Sequence, residues 1–173
     1  MHLVMQNKAI RHMYLQYGIT DYYRNHADDY SNPHKEDIIS LLKGLNSSYK
    51  TGIDFACGDG IVSDTLKHME WIGVDPYLAK QYAKTTGNAY ITATMEQIAN
   101  SEIILPKADI VICSYCVDIF KKSYMEKFLW NIANVTSTLV TIRPNKKIIN
   151  SSWWEVEEIK NYGKSSMVIY GKQ

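Results

Sequence analysis

The chain has little cysteine, almost no net charge and no long apolar run. Its 173 residues carry three cysteines, Cys57, Cys113 and Cys116. An odd count, with each cysteine inside an apolar stretch, does not form the disulfide framework of a secreted protein. Cys113 and Cys116 make a CxxC, but they lie in a buried-strand pattern (residues 110–116). No second CxxC and no paired histidine accompanies them, so the pattern implies no metal or redox centre. Lys plus Arg number 19 against 18 Asp plus Glu, a formal charge of +1. That balance argues against nonspecific, charge-driven binding to DNA, while a local basic patch remains compatible with it. No stretch of about 18 apolar residues occurs, so no membrane span is expected. Polar groups break up residues 1–8 too often for a signal peptide. A cytoplasmic location is the expectation. Internal repeats and low-complexity tracts are also missing.

What is present suits one globular domain. The length fits a domain of roughly 100–200 residues, with no room for a second. Hydrophobic residues make up 46% of the chain and charged residues 21%, enough to build a core. The first thirty residues are aromatic and polar, and Leu3, Ile10, Met13 and Tyr17 recur at helical spacing. Ser31 or Asn32 can cap a second helix over residues 33–45, with Pro33 in its first turn. Short apolar runs then alternate with helical patterns. Strands are predicted at 52–56, 71–74, 90–92, 108–114 and 138–142. Helices are predicted at 61–69, from Pro76 to a stop at Gly87, at 95–100 and at 123–134. This alternation implies right-handed βαβ units and a mostly parallel, doubly wound sheet. At the end, residues 154–160 and 165–172 flank the turn chemistry of residues 161–164. An antiparallel hairpin is predicted there, with a helix over 153–159 as the alternative.

In an open α/β sheet, ligands sit beyond the carboxyl ends of the strands. The first strand-to-helix turn reads Asp54-Phe55-Ala56-Cys57-Gly58-Asp59-Gly60. Small residues at 56, 58 and 60 let a ligand approach the backbone. The following helix is expected to offer its free N–H groups. The dinucleotide fingerprint GxGxxG requires a third glycine, and Val62 and Ser63 stand there instead. Asp75 directly follows the second strand, where a carboxylate accepts ribose hydroxyls; read alone, it would cap the helix beginning at Pro76.

The turn resembles motif I of class I S-adenosylmethionine-dependent methyltransferases, (D/E)xGxGxG. Asp54 stands at the acidic position, Ala56 replaces the first glycine, and Gly58 and Gly60 match. The resemblance covers roughly residues 22–142. It implies a Rossmann-like core (33–173) preceded by a helical lid segment (1–32) in a single domain. It implies S-adenosylmethionine as cofactor, with S-adenosylhomocysteine as product. Asp54, Ala56, Cys57, Gly58 and Gly60 would line its amino-acid end. Asp75 and Pro76 would meet the ribose, Met95 and Glu96 the adenine, and Ser114 the region of the methyl group. Residues 30–34, 113–115 and 143–147 are similar to an uncharacterised methyltransferase-like subgroup with YxNPH, CSF-type and PHK-type segments; Asn145 departs from its histidine.

Tyr30, His34, Tyr115 and Asp118 are the candidates for handling the methyl acceptor, with Ser114 and Arg143 beside them. Tyr22, Tyr23 and Tyr30 are lid candidates. Arg143, Lys146 and Lys147 would meet a carboxylate or phosphate on a substrate, or simply form a solvated loop. The fourth strand ends in Cys113-Ser114-Tyr115-Cys116 rather than (D/N)PP(Y/F), which argues against amino-methylation of DNA bases. The expected function is methyl transfer to a small molecule or RNA. The alternatives are a non-catalytic cofactor-binding partner subunit, other chemistry with the same cofactor, and a nicotinamide-dependent oxidoreductase.

Overall fold

The computed structural model describes residues 10–26, 32–144 and 146–173. It divides into two compact units, residues 1–31 and 32–173. In the first, α1 (Ile10–Tyr17) and α2 (Ile19–His26) replace the single expected helix. Gly18, at φ 77°, breaks the pattern between them. Tyr14, Tyr22, Tyr23 and His26 form a ring cluster, and the hydroxyls of Tyr14 and Tyr23 bond to each other. Tyr30 and Ser31 lie outside the described residues, as does Asn145.

The second unit opens with α3 (Lys35–Leu42). This helix starts two residues later than predicted. Its cap also differs, because the Asn32 side chain accepts from the His34 amide (2.9 Å) and turns the chain before the helix begins. β1 (Thr51–Phe55), α4 (Ile61–Thr65), β2 (Glu70–Val74), α5 (Ala79–Thr86), β3 (Ala89–Ile91), α6 (Met95–Ala99) and β4 (Ile110–Ser114) follow. A 3₁₀ turn (Val117–Ile119), α7 (Lys122–Ala133), β5 (Thr138–Pro144), β6 (Trp154–Tyr162) and β7 (Ser165–Lys172) complete it. Helix α5 begins at Ala79 rather than Pro76. The Asp75 carboxylate takes the amides of Tyr77 and Leu78 and holds them in a tight turn. A side chain competing with the backbone for its own N–H groups delays a helix in this way.

The strands form one seven-stranded sheet in the order β3-β2-β1-β4-β5-β7-β6. β1 to β5 run parallel, and β7 and β6 return antiparallel as the predicted hairpin. Side chains alternate across the pleat and supply two cores. Ile53, Phe55, Val111, Cys113 and Leu139 face α6 and α7, while Ile110, Ile112, Val140 and Ile142 face α3 and α4. All three phenylalanines meet on the first face. Phe55 lies 4.9 Å from Phe128 and 5.8 Å from Phe120, ring centre to ring centre and edge to face. This cluster clamps the carboxyl end of β1 onto α7, the geometry in which aromatic pairs add about 0.5–1.5 kcal/mol each. The sheet leaves its ligand edge where β1 and β4 part.

Candidate active site

The chain leaves β1 through three residues with positive φ: Ala56 (59°), Gly58 (50°) and Gly60 (84°). Glycine adopts this region freely, but alanine does so at a cost, so Ala56 stores backbone strain at the turn. Gly60 has a second reason to lack a side chain. A Cβ there would stand 2.5 Å from Thr86 Cγ2 and 3.3 Å from the Tyr82 ring. Helix α5 therefore packs directly on the turn.

Four backbone donors of the turn are already used. Ala56 and Cys57 donate to the Val74 carbonyl (2.7 and 3.2 Å), and Gly60 donates to Cys57 (2.8 Å). Gly58 donates to Asp75 Oδ2 (3.3 Å). At the start of α4, the backbone of Ser63 near Asp54 and that of Ile61 near Asp59 partly offset the burial of those carboxyls. Within α4 itself, Asp64 donates to the Gly60 carbonyl (2.9 Å). Asn32 also donates to Asp59 (3.3 Å), tying the entry segment to the turn.

The polar group left over is an acceptor. Asp54 is 1% exposed, and its Oδ2 has no hydrogen-bond partner. Burial, then the nearby Asp75, pushes its carboxyl well above the usual carboxylate range. Burial raises Asp75 and Asp59 as well. Burial and these carboxylates also push the Cys57 thiol up, which keeps it an unreactive thiol. On β4, the Ser114 Oγ is buried without a partner. Asp54 sits opposite Ile112, and Ser114 is two residues further along on the same face. The two unpartnered groups therefore lie on one side of the sheet at the ends of adjacent strands.

Such a corner favours a cation with hydrogen-bond donors. A phosphate would meet the carboxylates of Asp54, Asp59 and Asp75, whereas an ammonium would satisfy Asp54. The corner thus suits an ammonium better than a pyrophosphate. Asp75 already accepts three amides, with two on Oδ1 (both 2.8 Å) and one on Oδ2. Its remaining acceptor capacity lies on Oδ2, so it both caps and stays open to one hydroxyl.

Beyond β3, Thr94 and Gln97 form a capping box at the start of α6. The box uses the Thr94 and Gln97 amides and leaves those of Met95 and Glu96 outside it. The Met95 side chain is buried, and Glu96 pairs with Lys121 (3.2 Å). Pro76 is half-buried beside Asp75.

The acceptor-side candidates separate into two groups. His34 stacks on Tyr115 with ring centres 3.9 Å apart and planes 5° apart. Tyr115 follows β4 at φ 54°, another strained backbone at the ligand edge. Burial lowers the His34 imidazole below its ordinary value, so the ring is neutral at neutral pH. Asp118 lies elsewhere. Arg143 donates to both its oxygens (Nη2 2.6 Å, Nε 3.2 Å), and Lys147 adds a third contact at 3.4 Å. The Arg143 fork holds the Asp118 carboxyl below the usual range, which makes it a weak base. Arg143 is buried against this partner and is not open to a substrate anion.

Sequence reasoning missed Asp37 and Ser165, which bond to each other beside Tyr115. Asp37 and Ser165 had no local signal, because only the return of β7 joins them.

No family model and no curated relative matches the sequence. Solved structures match the fold. One is an O-methyltransferase family protein from Burkholderia thailandensis, with 12% identity, TM-score 0.63, and 93% of this chain and 61% of that one covered. A TehB-like S-adenosylmethionine-dependent methyltransferase from Corynebacterium glutamicum matches with 14% identity, TM-score 0.63, and 95% and 100% covered. Magnesium protoporphyrin IX methyltransferase from Synechocystis, solved with bound S-adenosylmethionine, gives 14%, 0.63, and 95% and 95%. The chain spans about three fifths of the length of the first matched structures. It has the class I, Rossmann-like fold of the S-adenosylmethionine-dependent methyltransferases.

Proposed function

We propose that the protein is an S-adenosylmethionine-dependent methyltransferase acting on a small molecule or RNA. The observation that carries this reading is the turn after β1, with one buried carboxylate oxygen, Asp54 Oδ2, unpartnered at its entry. In this reading Asp54 holds the α-ammonium, with Ser114 beside it. Ala56, Cys57, Gly58 and Gly60 form the backbone wall. Asp75 meets a ribose hydroxyl through Oδ2, with Pro76 behind it. The Met95 and Glu96 amides meet the adenine edge. The bound cofactor supplies an electrophilic methyl group on a sulfonium, and methyl transfer then needs chiefly a nucleophile held in line with it. His34 and Tyr115 would receive the acceptor. Residues 1–32, with Tyr22, Tyr23 and Tyr30, are the proposed lid on a single domain.

The matched structures include both an O-methyltransferase family protein and an N-methyltransferase in complex with S-adenosylhomocysteine. The fold alone therefore does not choose the acceptor. Calorimetric titration of the full chain with S-adenosylmethionine, S-adenosylhomocysteine and NAD tests the reading. Binding of both adenosyl compounds and not NAD is expected. Binding of neither would overturn it.

A further inference from the structure

Three residues distant in the chain form a hydrogen-bonded line at the ligand edge. Ser165, at the start of β7, donates to Asp37 Oδ2 on α3. The Tyr115 hydroxyl bonds to the same Ser165 oxygen. A serine hydroxyl has one proton, and that proton points at Asp37, so Tyr115 must be the donor to Ser165. The polarity of the line is thus fixed: Tyr115 O–H to Ser165, Ser165 O–H to Asp37. The lone pairs of the Tyr115 oxygen are left to accept a hydrogen from outside.

The line is held tightly. Ser165 is 2% exposed. A Cβ at Gly163 would stand 2.9 Å from an Asp37 oxygen, so the β6–β7 turn closes over that carboxylate. Tyr115 is fixed by the His34 stack, by the hydrogen bond its amide donates to the Ile142 carbonyl (2.8 Å) and by its strained φ. Strained backbone that the surroundings over-determine is a marker of function. Stability would be served equally by an apolar contact here.

We infer that Tyr115, Ser165 and Asp37 form a proton relay, and that the methyl acceptor is therefore a hydroxyl compound. This rests on the methyltransferase reading above. The acceptor oxygen forms its bond to the methyl carbon as the sulfur–carbon bond breaks, and that electron pair stays on sulfur. The acceptor proton moves to the Tyr115 oxygen, the Tyr115 proton to Ser165, and the Ser165 proton to the Asp37 carboxylate. One sulfonium and one carboxylate are consumed, and a neutral thioether and a neutral carboxylic acid result. A neutral amine attacks through its free lone pair and can lose its proton to water after the transfer; a hydroxyl must give up its proton as it attacks. Tyr115 touches the acceptor, while Ser165 and Asp37 act through it as positioning residues.

The test uses the full chain, labelled S-adenosylmethionine and two acceptors, phenol and para-nitrophenol, the second largely ionised in mildly alkaline buffer. Asp37→Asn keeps an acceptor for Ser165 but cannot take its proton, and Tyr115→Phe keeps the ring stack. Both variants are expected to retain S-adenosylhomocysteine affinity. Both should lose about 10²–10⁴-fold in kcat on phenol, and only a few-fold on para-nitrophenol, which has no proton to give. Equal losses on the two acceptors would mark a merely structural line and overturn the inference, as would no loss on phenol. Methylation of neither phenol by a chain that binds S-adenosylhomocysteine overturns the hydroxyl assignment while sparing the cofactor reading. Failure to bind S-adenosylhomocysteine overturns both.

Discussion

In the proposed reading, Asp54 concentrates the conflict between folding and binding in one residue. Its carboxyl is raised far above the unfolded value by burial, so the folded state keeps a proton that the unfolded state has lost. Stability contributed by that difference is present at low pH and declines as pH rises from the unfolded value, near 4, through the raised folded one. Asp54→Asn should therefore be more thermostable than the wild type, with an advantage that grows from mildly acidic to alkaline buffer. Thermal melts across that pH range measure it. Asp75, also raised by burial, should leave a smaller slope of the same sign in the variant. The same substitution should weaken S-adenosylhomocysteine binding about tenfold to hundredfold, the loss of one charge-assisted hydrogen bond. Calorimetry reads that directly. Asp75 behaves differently, because its three amide bonds make it structural as well. Asp75→Ala should lose about 1–3 kcal/mol of stability by urea titration, in addition to any effect on affinity. This residue scale was only half legible. The spacing of Asp54, Gly58, Gly60 and Asp75 pointed to the turn. The capture of the Gly58, Tyr77 and Leu78 amides by Asp75 depends on a rotamer that no spacing encodes.

Among the elements, α5 and β6 carry the sharpest demands. Helix α5 lies so close to β2 that a Cβ on Gly73 would overlap the Tyr82 ring, which is fully buried. Gly73→Ala should cost about 1–3 kcal/mol by overpacking. Tyr82→Leu should recover part of that loss in the double variant, a coupling that a urea-denaturation cycle measures. At the other margin, β6 is an edge strand of nine residues. Glu155, Glu157 and Glu158 are exposed along it, and its register shifts between Val156 and Glu158. Charges and a bulge prevent such an edge from pairing with another chain. Replacing Glu155 and Glu158 with valine should produce concentration-dependent association in size-exclusion chromatography. Element types were legible because the strands are apolar runs and the helices periodic. Their starts were not, at residues 33–35 and 75–79. In both places an Asn or Asp side chain diverts the amides that would have opened the helix.

Across the whole molecule, the parallel sheet followed from the βα alternation, and the hairpin from the turn chemistry at residues 161–164. The insertion of β7 between β5 and β6 did not, because no local pattern states which strand is its second neighbour. That insertion brings Ser165 to Asp37 and Tyr115, so the missed pairing and the missed residues have one cause. The cofactor reading makes a prediction at this scale too. A ligand that binds only the folded state stabilises it by about 2.7 kcal/mol at a hundredfold excess over Kd. For a chain of this size that corresponds to a rise in Tm of roughly 5–10 °C. S-adenosylhomocysteine should produce it in a thermal-shift measurement, and NAD should not. Among the described residues, no helix is long and apolar enough to cross a membrane.

The position of β7 also sets an order of events during synthesis. The ribosome delivers β6 before β7, yet β6 touches the sheet only through β7. Until residue 172 has emerged, β5 presents an open edge and β6 has no partner. At roughly 5–20 residues per second, the nascent chain spends about a second or more with that edge uncovered after β5 is made. The acidic residues of β6 reach the solvent during this interval, ahead of the apolar Met167–Tyr170 stretch that must find its slot. A chain stalled between residues 162 and 172 would hold the glycine turn but not the last strand. Chaperone capture of nascent chains should therefore peak in this window.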